Sequence, residues 1–126
     1  MRYIVDNDLH IHTFLSPCSG DREQTPENIL KYALKNGFTD ICITDHYWDP
    51  KVPGASTYLA KLDTELLKRA LPLPRAEGVN FMFGCETELD RFGNLAIAPE
   101  TYGEFDFIVS PINHFHMEGF TLPPED

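Results

Sequence analysis

Short apolar runs along this chain end, again and again, in histidine or carboxylate residues. "YIV" at residues 3–5 leads through Asp6 and Asn7 to "DLHIH", which reads as one strand. Strand side chains alternate between faces, so His10 and His12 are expected to point one way and Leu9 and Ile11 the other. "TPENILKYALKNG" predicts a helix, with Thr25 as N-cap, Pro26 at its first position, Ile29, Leu30, Ala33 and Leu34 on one stripe, and Gly37 as the stop. "TDICITDH" is a second strand, with Ile41, Cys42 and Ile43 as its body and Asp45 and His46 at its end. After a loop over 47–55, Leu59, Leu62, Leu66 and Ala70 have helical spacing up to the "LPLP" break. "VNFMFGCETEL" predicts a third strand ending in Gly84, Glu86 and Glu88. "APETYGEF" reads as a helical turn opened by Pro99, and "FDFIVSPINHFH" as a fourth strand.

Strands that alternate with helical crossovers belong to the α/β class with a parallel sheet. The polar residues fall at the C-terminal strand ends, where barrels and open α/β sheets carry their chemistry. No internal repeat, low-complexity segment or linker divides residues 1–126, so one domain is expected.

Composition narrows the function classes. Ten basic against twenty acidic side chains give a net charge of -10, which opposes binding to a nucleic-acid backbone. Cys18, Cys42 and Cys85 are far apart and odd in number, which argues against a disulfide framework and for a reducing compartment. Neither a signal-like N-terminus nor a run approaching the ~20 apolar residues of a membrane span is present. A cytoplasmic protein is the expectation.

The candidate chemistry is a constellation: His10 and His12, His46 with Asp45, Glu86, and His114 or His116. Imidazole nitrogens and carboxylate oxygens are ligands for zinc, manganese and iron, and strand tips can bring them to one cavity. An HxH pair alone is more often structural, and a lone strand-end Glu is usually solvated. The signal lies in every histidine of the chain sitting at a strand end. Glu86 stands out because a carboxylate can bridge two ions. Cys85 lies in an apolar strand and reads as core, and no GxGxxG or P-loop pattern occurs.

"DLHIHT", "ITDH", "GCETEL" and "FDFIVSPINHFHM", in this order, resemble the PHP superfamily, named for polymerase and histidinol phosphatase. The resemblance implies a distorted (β/α)7 TIM-like barrel with two or three divalent metal ions (Zn, Mn or Fe) at its strand ends. It implies His10, His12, His46, Glu86 and His114 as metal ligands. Glu86, His46 and Asp45 would be the catalytic set, with Asp45 orienting a neighbouring ligand. A third histidine of the first motif is replaced here by Cys18, so Cys18, Asp21 or neither takes that place, and His116 is a further candidate. The family's later motifs, a His and a DxH, do not follow, so the sequence is expected to form the first half of such a barrel. The implied function is a metal-dependent phosphoesterase, most simply a phosphomonoesterase of histidinol-phosphatase type that uses metal-activated water on a small phosphorylated substrate. The alternatives are a noncatalytic metal-binding or assembly module and a phosphodiesterase or exonuclease. An incomplete barrel would also be expected to pair with a second copy or with the C-terminal half of the same protein.

Overall fold

The computed structural model describes residues 3–112 of the chain. Four strands, β1 (Asn7–Ile11), β2 (Asp40–Tyr47), β3 (Asn80–Thr87) and β4 (Phe107–Val109), form one sheet in the order β1-β2-β3-β4. Every neighbouring pair is parallel. The architecture is α/β, a curled half-barrel sheet carrying helices.

Helix α1 (Pro26–Asn36) makes the first crossover. The Thr25 side chain accepts from the Asn28 backbone N–H, and Gly37 closes the helix at φ 74°, a left-handed conformation open to glycine without Cβ strain. Pro26, Ile29, Leu30 and Ala33 are buried, whereas Leu34 is 51% exposed, so the apolar stripe is narrower than its sequence spacing indicates.

The second crossover departs from the expected continuous helix over Leu59–Ala70. It breaks into a 3-10 turn (Leu59–Lys61), the single turn α2 (Thr64–Leu67) and another 3-10 turn (Lys68–Ala70). Asp63 is the cause: it sits in extended conformation and its side chain accepts from the Leu66 N–H, starting a new helix where a continuous one would have run. The last crossover contains the 3-10 helix Pro99–Glu104, opened by Pro99 as the sequence indicates. At the N-terminus, Tyr3, Ile4 and Val5 lie exposed before β1 rather than within it, because pairing to β2 begins at Asn7↔Asp40.

Strand alternation sorts the sheet into two faces. Ile41, Ile43 and Tyr47 of β2 and Phe81, Phe83 and Cys85 of β3 join Ile29, Leu30 and Ala33 of α1 in the main core. That is the helix-covered face. Cys42, Thr44 and His46, with Met82, Gly84 and Glu86, alternate onto the opposite, concave face. A smaller cluster of Trp48, Leu59, Leu62 and Ala96 packs beyond the C-terminal end of β2. Asp49 fixes that end: it accepts from the Ala98 N–H at 2.9 Å and from the Lys51 N–H at 3.0 Å. Among the described residues, no helix is long and apolar enough to cross a membrane.

Candidate metal centre

The β2–β3 ladder runs in unbroken parallel register from Asp40↔Asn80 to Tyr47↔Thr87 and sets His46 beside Glu86. Side chains paired in this way lie side by side on one face. Glu88, two residues beyond Glu86, follows it to the same face. On the other side of β2, the β1 register slips between Asp8 and Ile11, with one extra residue on β1, and His10 and His12 reach the cluster from its rim.

Three imidazoles therefore converge on one carboxylate oxygen. Glu86 Oε2 lies 2.6 Å from His12 Nε2, 3.2 Å from His10 Nε2 and 3.4 Å from His46 Nδ1. His46 Nδ1 is also 3.6 Å from Glu88 Oε1. The second nitrogen of His12, Nδ1, lies 3.2 Å from Cys18 Sγ. Three donor groupings share these residues: His10 with His12 and Glu86, His46 with Glu86 and Glu88, and His12 with Cys18 and His46. In each, the ligand atoms lie within 4.8 Å of one another.

The electrostatics match the geometry. Burial alone would raise the Glu86 carboxyl, but the His12 hydrogen bond, the His46 charge and the His10 hydrogen bond outweigh it and bring the group down to about 2. The same Glu86 bond lifts the His12 imidazole above its ordinary value, against the opposing effect of burial. Burial raises the Cys18 thiol, and the nearby Glu86 and Asp45 charges push it the same way, so it is not set up as a nucleophilic thiolate. Burial takes Cys42 and Cys85 further, to about 12, as expected for core thiols.

Asp45 is placed differently from its neighbour. Alternation along β2 turns it to the face opposite His46, where its carboxylate accepts from the Thr13 N–H at 2.7 Å, the Thr13 hydroxyl at 2.7 Å and the Ser16 hydroxyl at 2.6 Å. The His46 N–H in turn donates to Ser16 Oγ at 3.2 Å. Asp45 thus ties the loop after β1, the loop that carries Cys18, to the end of β2. The carboxylate of Asp21 accepts from the Glu23 N–H at 2.9 Å, within its own exposed turn, and Asp21 belongs to none of the three donor groupings. His114 and His116 lie outside the described residues.

Glu88 joins the site without having been picked out as a ligand or catalytic group. Glu88 carried a readable signal, its two-residue spacing from Glu86 on a strand. Tyr58, in the loop after β2, packs against the smaller cluster around Trp48. Burial lifts its phenol above the usual value, and the Cys18 and Glu88 charges act in the same direction. A groove of about 570 Å³ between β1 and α1, lined by Asp8, Ile11, Asn28, Tyr32 and Phe38 among others, opens on the helix side and does not contain the cluster.

The PHP domain family model matches residues 8–126. The chain belongs to the PHP domain family. Among similar curated proteins, a probable phosphatase of Vibrio parahaemolyticus is 32% identical over 118 residues, covering 93% of this chain and 41% of that protein. A probable phosphatase of Thermoanaerobacter sp. (strain X514) is 31% identical over 114 residues, covering 88% of this chain and 42% of that one. One from Caldicellulosiruptor saccharolyticus is 26% identical over 110 residues, 86% of this chain and 42% of the relative. This PHP chain therefore spans about two fifths of the length of the curated relatives it matches. No solved structure matches it.

Proposed function

We propose that this PHP chain carries the metal-binding first part of a phosphoesterase, most simply a phosphomonoesterase of histidinol-phosphatase type acting on a small phosphorylated substrate. One observation carries the reading: three imidazole nitrogens stand within 3.4 Å of the single oxygen Glu86 Oε2. A carboxylate oxygen has two lone pairs, so it cannot accept a well-made hydrogen bond from each of the three rings at once. A cation among them resolves the crowding, since each neutral ring then offers a lone pair and Glu86 offers charge. The donors suit Zn, Mn or Fe.

Glu86 and Glu88 would repel a phosphate group if they faced it alone. A divalent cation, when bound, supplies positive charge toward phosphate oxygens and makes a nearby water more acidic. The chain's own residues do the positioning. Glu86 stays ionised, His10, His12 and His46 hold the donor geometry, and Asp45 fixes the loop that frames the rim. His114 is assigned as an additional ligand on the family motif alone.

Two measurements on one preparation test this: metal content after purification without chelator, and turnover of an aryl phosphomonoester beside a bis-aryl phosphodiester. The expected result is bound Zn, Mn or Fe and metal-dependent monoester hydrolysis. A protein that carries none of these metals and takes none up in titration overturns the reading. Diester turnover alone would move the assignment to a phosphodiesterase or exonuclease. The relatives' greater length favours a second reading, a metal-binding module that acts with another polypeptide, either a second copy or a C-terminal half. Metal retention without turnover, and a mass above one chain in sedimentation, would select it.

A further inference from the structure

We infer that Asp8 is a positioning residue for the cluster: its carboxylate holds the extra residue of β1 that turns His10 and His12 toward Glu86. This rests on reading the cluster as a metal centre and adds the residue that aims two of its donors.

The phase of β1 changes along its length. At its start the Thr39 N–H donates to the Asp6 carbonyl at 2.7 Å, and Asn7 and Asp8 pair with Asp40 and Ile41. Asp8 lines the groove on the helix side together with Ile11, Ile29 and Ile41. Ile11 pairs with Ile43 and packs against the main core. Ile41 and Ile43 stand two residues apart on one face of β2, but their partners Asp8 and Ile11 are three apart, so β1 carries one extra residue between them. Unbroken alternation from Asp8 would have sent His10 and His12 to the helix side and Ile11 to the concave face. The extra residue reverses this, and the two imidazoles meet Glu86 Oε2 instead.

Asp8 supplies a bond that holds the irregular stretch. The His10 N–H donates to Asp8 Oδ1 at 3.1 Å. A short Asp side chain bends the backbone in this way by accepting from the N–H two residues on. Bulges are uncommon between parallel strands and recur beside functional sites, where they re-aim a side chain. Asp8 is exposed, so water can replace it as acceptor for the His10 N–H, and the bond contributes direction to the ring more than stability to the fold. The His10 and His12 rings stand edge to face with centroids 5.3 Å apart, and the His12 and His46 centroids are 4.5 Å apart.

Asp8→Ala and Asp8→Asn, each in the wild-type and in the His10→Ala chain, provide the test, with zinc affinity read by competition with a chromophoric chelator. Asp8→Ala is expected to lose up to about tenfold in affinity while the urea midpoint stays where it is. Asp8→Asn keeps Oδ1 as an acceptor without the charge and is expected to restore affinity to within about twofold. In the His10→Ala chain, Asp8→Ala is expected to cost nothing further, because its effect passes through that ring. Losses that simply add in the double variant, or an Asp8→Asn chain as weak as Asp8→Ala, would overturn the proposal in favour of attraction between a surface charge and the cation. A metal-free readout separates Asp8 from the metal centre itself. In the apo chain, nuclear Overhauser contacts between the His10 and His12 rings are expected to disappear in Asp8→Ala while those between His12 and His46 remain. Unchanged His10 contacts would overturn the role of Asp8 whatever the metal does. A wild-type chain that takes up no zinc, with His10 contacts that still depend on Asp8, would overturn the metal centre and leave Asp8 as the residue that aims the pair.

Discussion

The floor and the rim of the cluster are held by different forces. His46 stands on β2, Glu86 on β3 and Glu88 just beyond the end of β3, with side chains only 6%, 5% and 1% exposed. Their spacing follows from a ladder of eight consecutive residue pairs. His10, on β1, and His12, just beyond its end, are 50% and 22% exposed, and β1 keeps three register pairs and a slip. Cys18 comes from the loop beyond it. A backbone ladder fixes the floor wherever the sheet forms, whereas the rim depends on side-chain hydrogen bonds that a single substitution can remove. The cluster thus has a rigid wall and an adjustable one.

The largest expected effect comes from cutting the tie between them. Asp45→Ala leaves the Thr13 N–H, the Thr13 hydroxyl and the Ser16 hydroxyl without their buried acceptor. At about 1–3 kcal/mol for each orphaned group, partly relieved by water, the loss should reach about 3–5 kcal/mol in urea unfolding. Asp45→Asn keeps one acceptor oxygen and should lose about half as much. A change below about 1 kcal/mol for the alanine variant would mean that the rim is held by something other than Asp45.

Glu86→Gln attacks the floor without changing its shape. The amide keeps the volume but removes the charge on which three rings converge. Metal affinity, measured by competition with a chromophoric chelator, should fall by more than about 100-fold, beyond the range typical of groups that only support a ligand. Unfolding stability should move much less than in Asp45→Ala. An unchanged affinity would show that the imidazoles bind metal without the carboxylate and that the convergence on Oε2 is incidental.

Gly84→Ala tests the ladder itself. A Cβ at this position would run into the Phe107 carbonyl oxygen, with Cys42 Sγ at 2.8 Å and Thr44 Cγ2 at 3.1 Å. The first obstacle is backbone of the neighbouring strand and cannot rotate away. Overpacking of this kind costs about 1–3 kcal/mol, read as a lower melting temperature. If the floor is as rigid as its register implies, metal affinity should fall with stability, because Glu86 lies only two residues further along β3.

Much of this arrangement is legible in the sequence. The caps of α1 are local chemistry, the Thr25 side chain and the positive φ at Gly37, and local chemistry reads directly from residue type. The shared direction of the HxH pair reads from strand alternation, whereas the register slip between Asp8 and Ile11 and the position of His12 beyond β1 do not. The same rule separates Asp45 from His46, which are adjacent in "TDH" but face opposite sides of β2, whereas the partners of Asp45, Thr13 and Ser16, come from a loop that no local pattern ties to β2. Glu88 was within reach of the same periodicity. Leu59–Ala70 misleads because its apolar spacing is helical while Asp63 restarts the chain locally, a competition that periodicity does not register. The approach of Cys18 to His12 spans six residues of loop whose path is set by Asp45, 27 positions further along, so no local pattern contains it.

The smallest expected effect separates the rim's two histidines from the floor's one. His10 is half exposed and makes a single 3.2 Å approach to Glu86, so His10→Ala should leave unfolding stability within about 0.5 kcal/mol, as for most surface substitutions. It removes one donor from the position shared with His12 and Glu86, and metal affinity there should fall about tenfold, the low end of what a ligand's supporting partner is worth, because water can take the vacated place on an exposed rim. His46→Ala removes a buried ring between Glu86 and Glu88 and brings two carboxylates together without the group that separates them. It should therefore cost both metal and stability. Calorimetric titration beside thermal unfolding of the two variants decides the matter. Equal losses in both measurements would erase the distinction between rim and floor, and a larger affinity loss at His10 would reverse it.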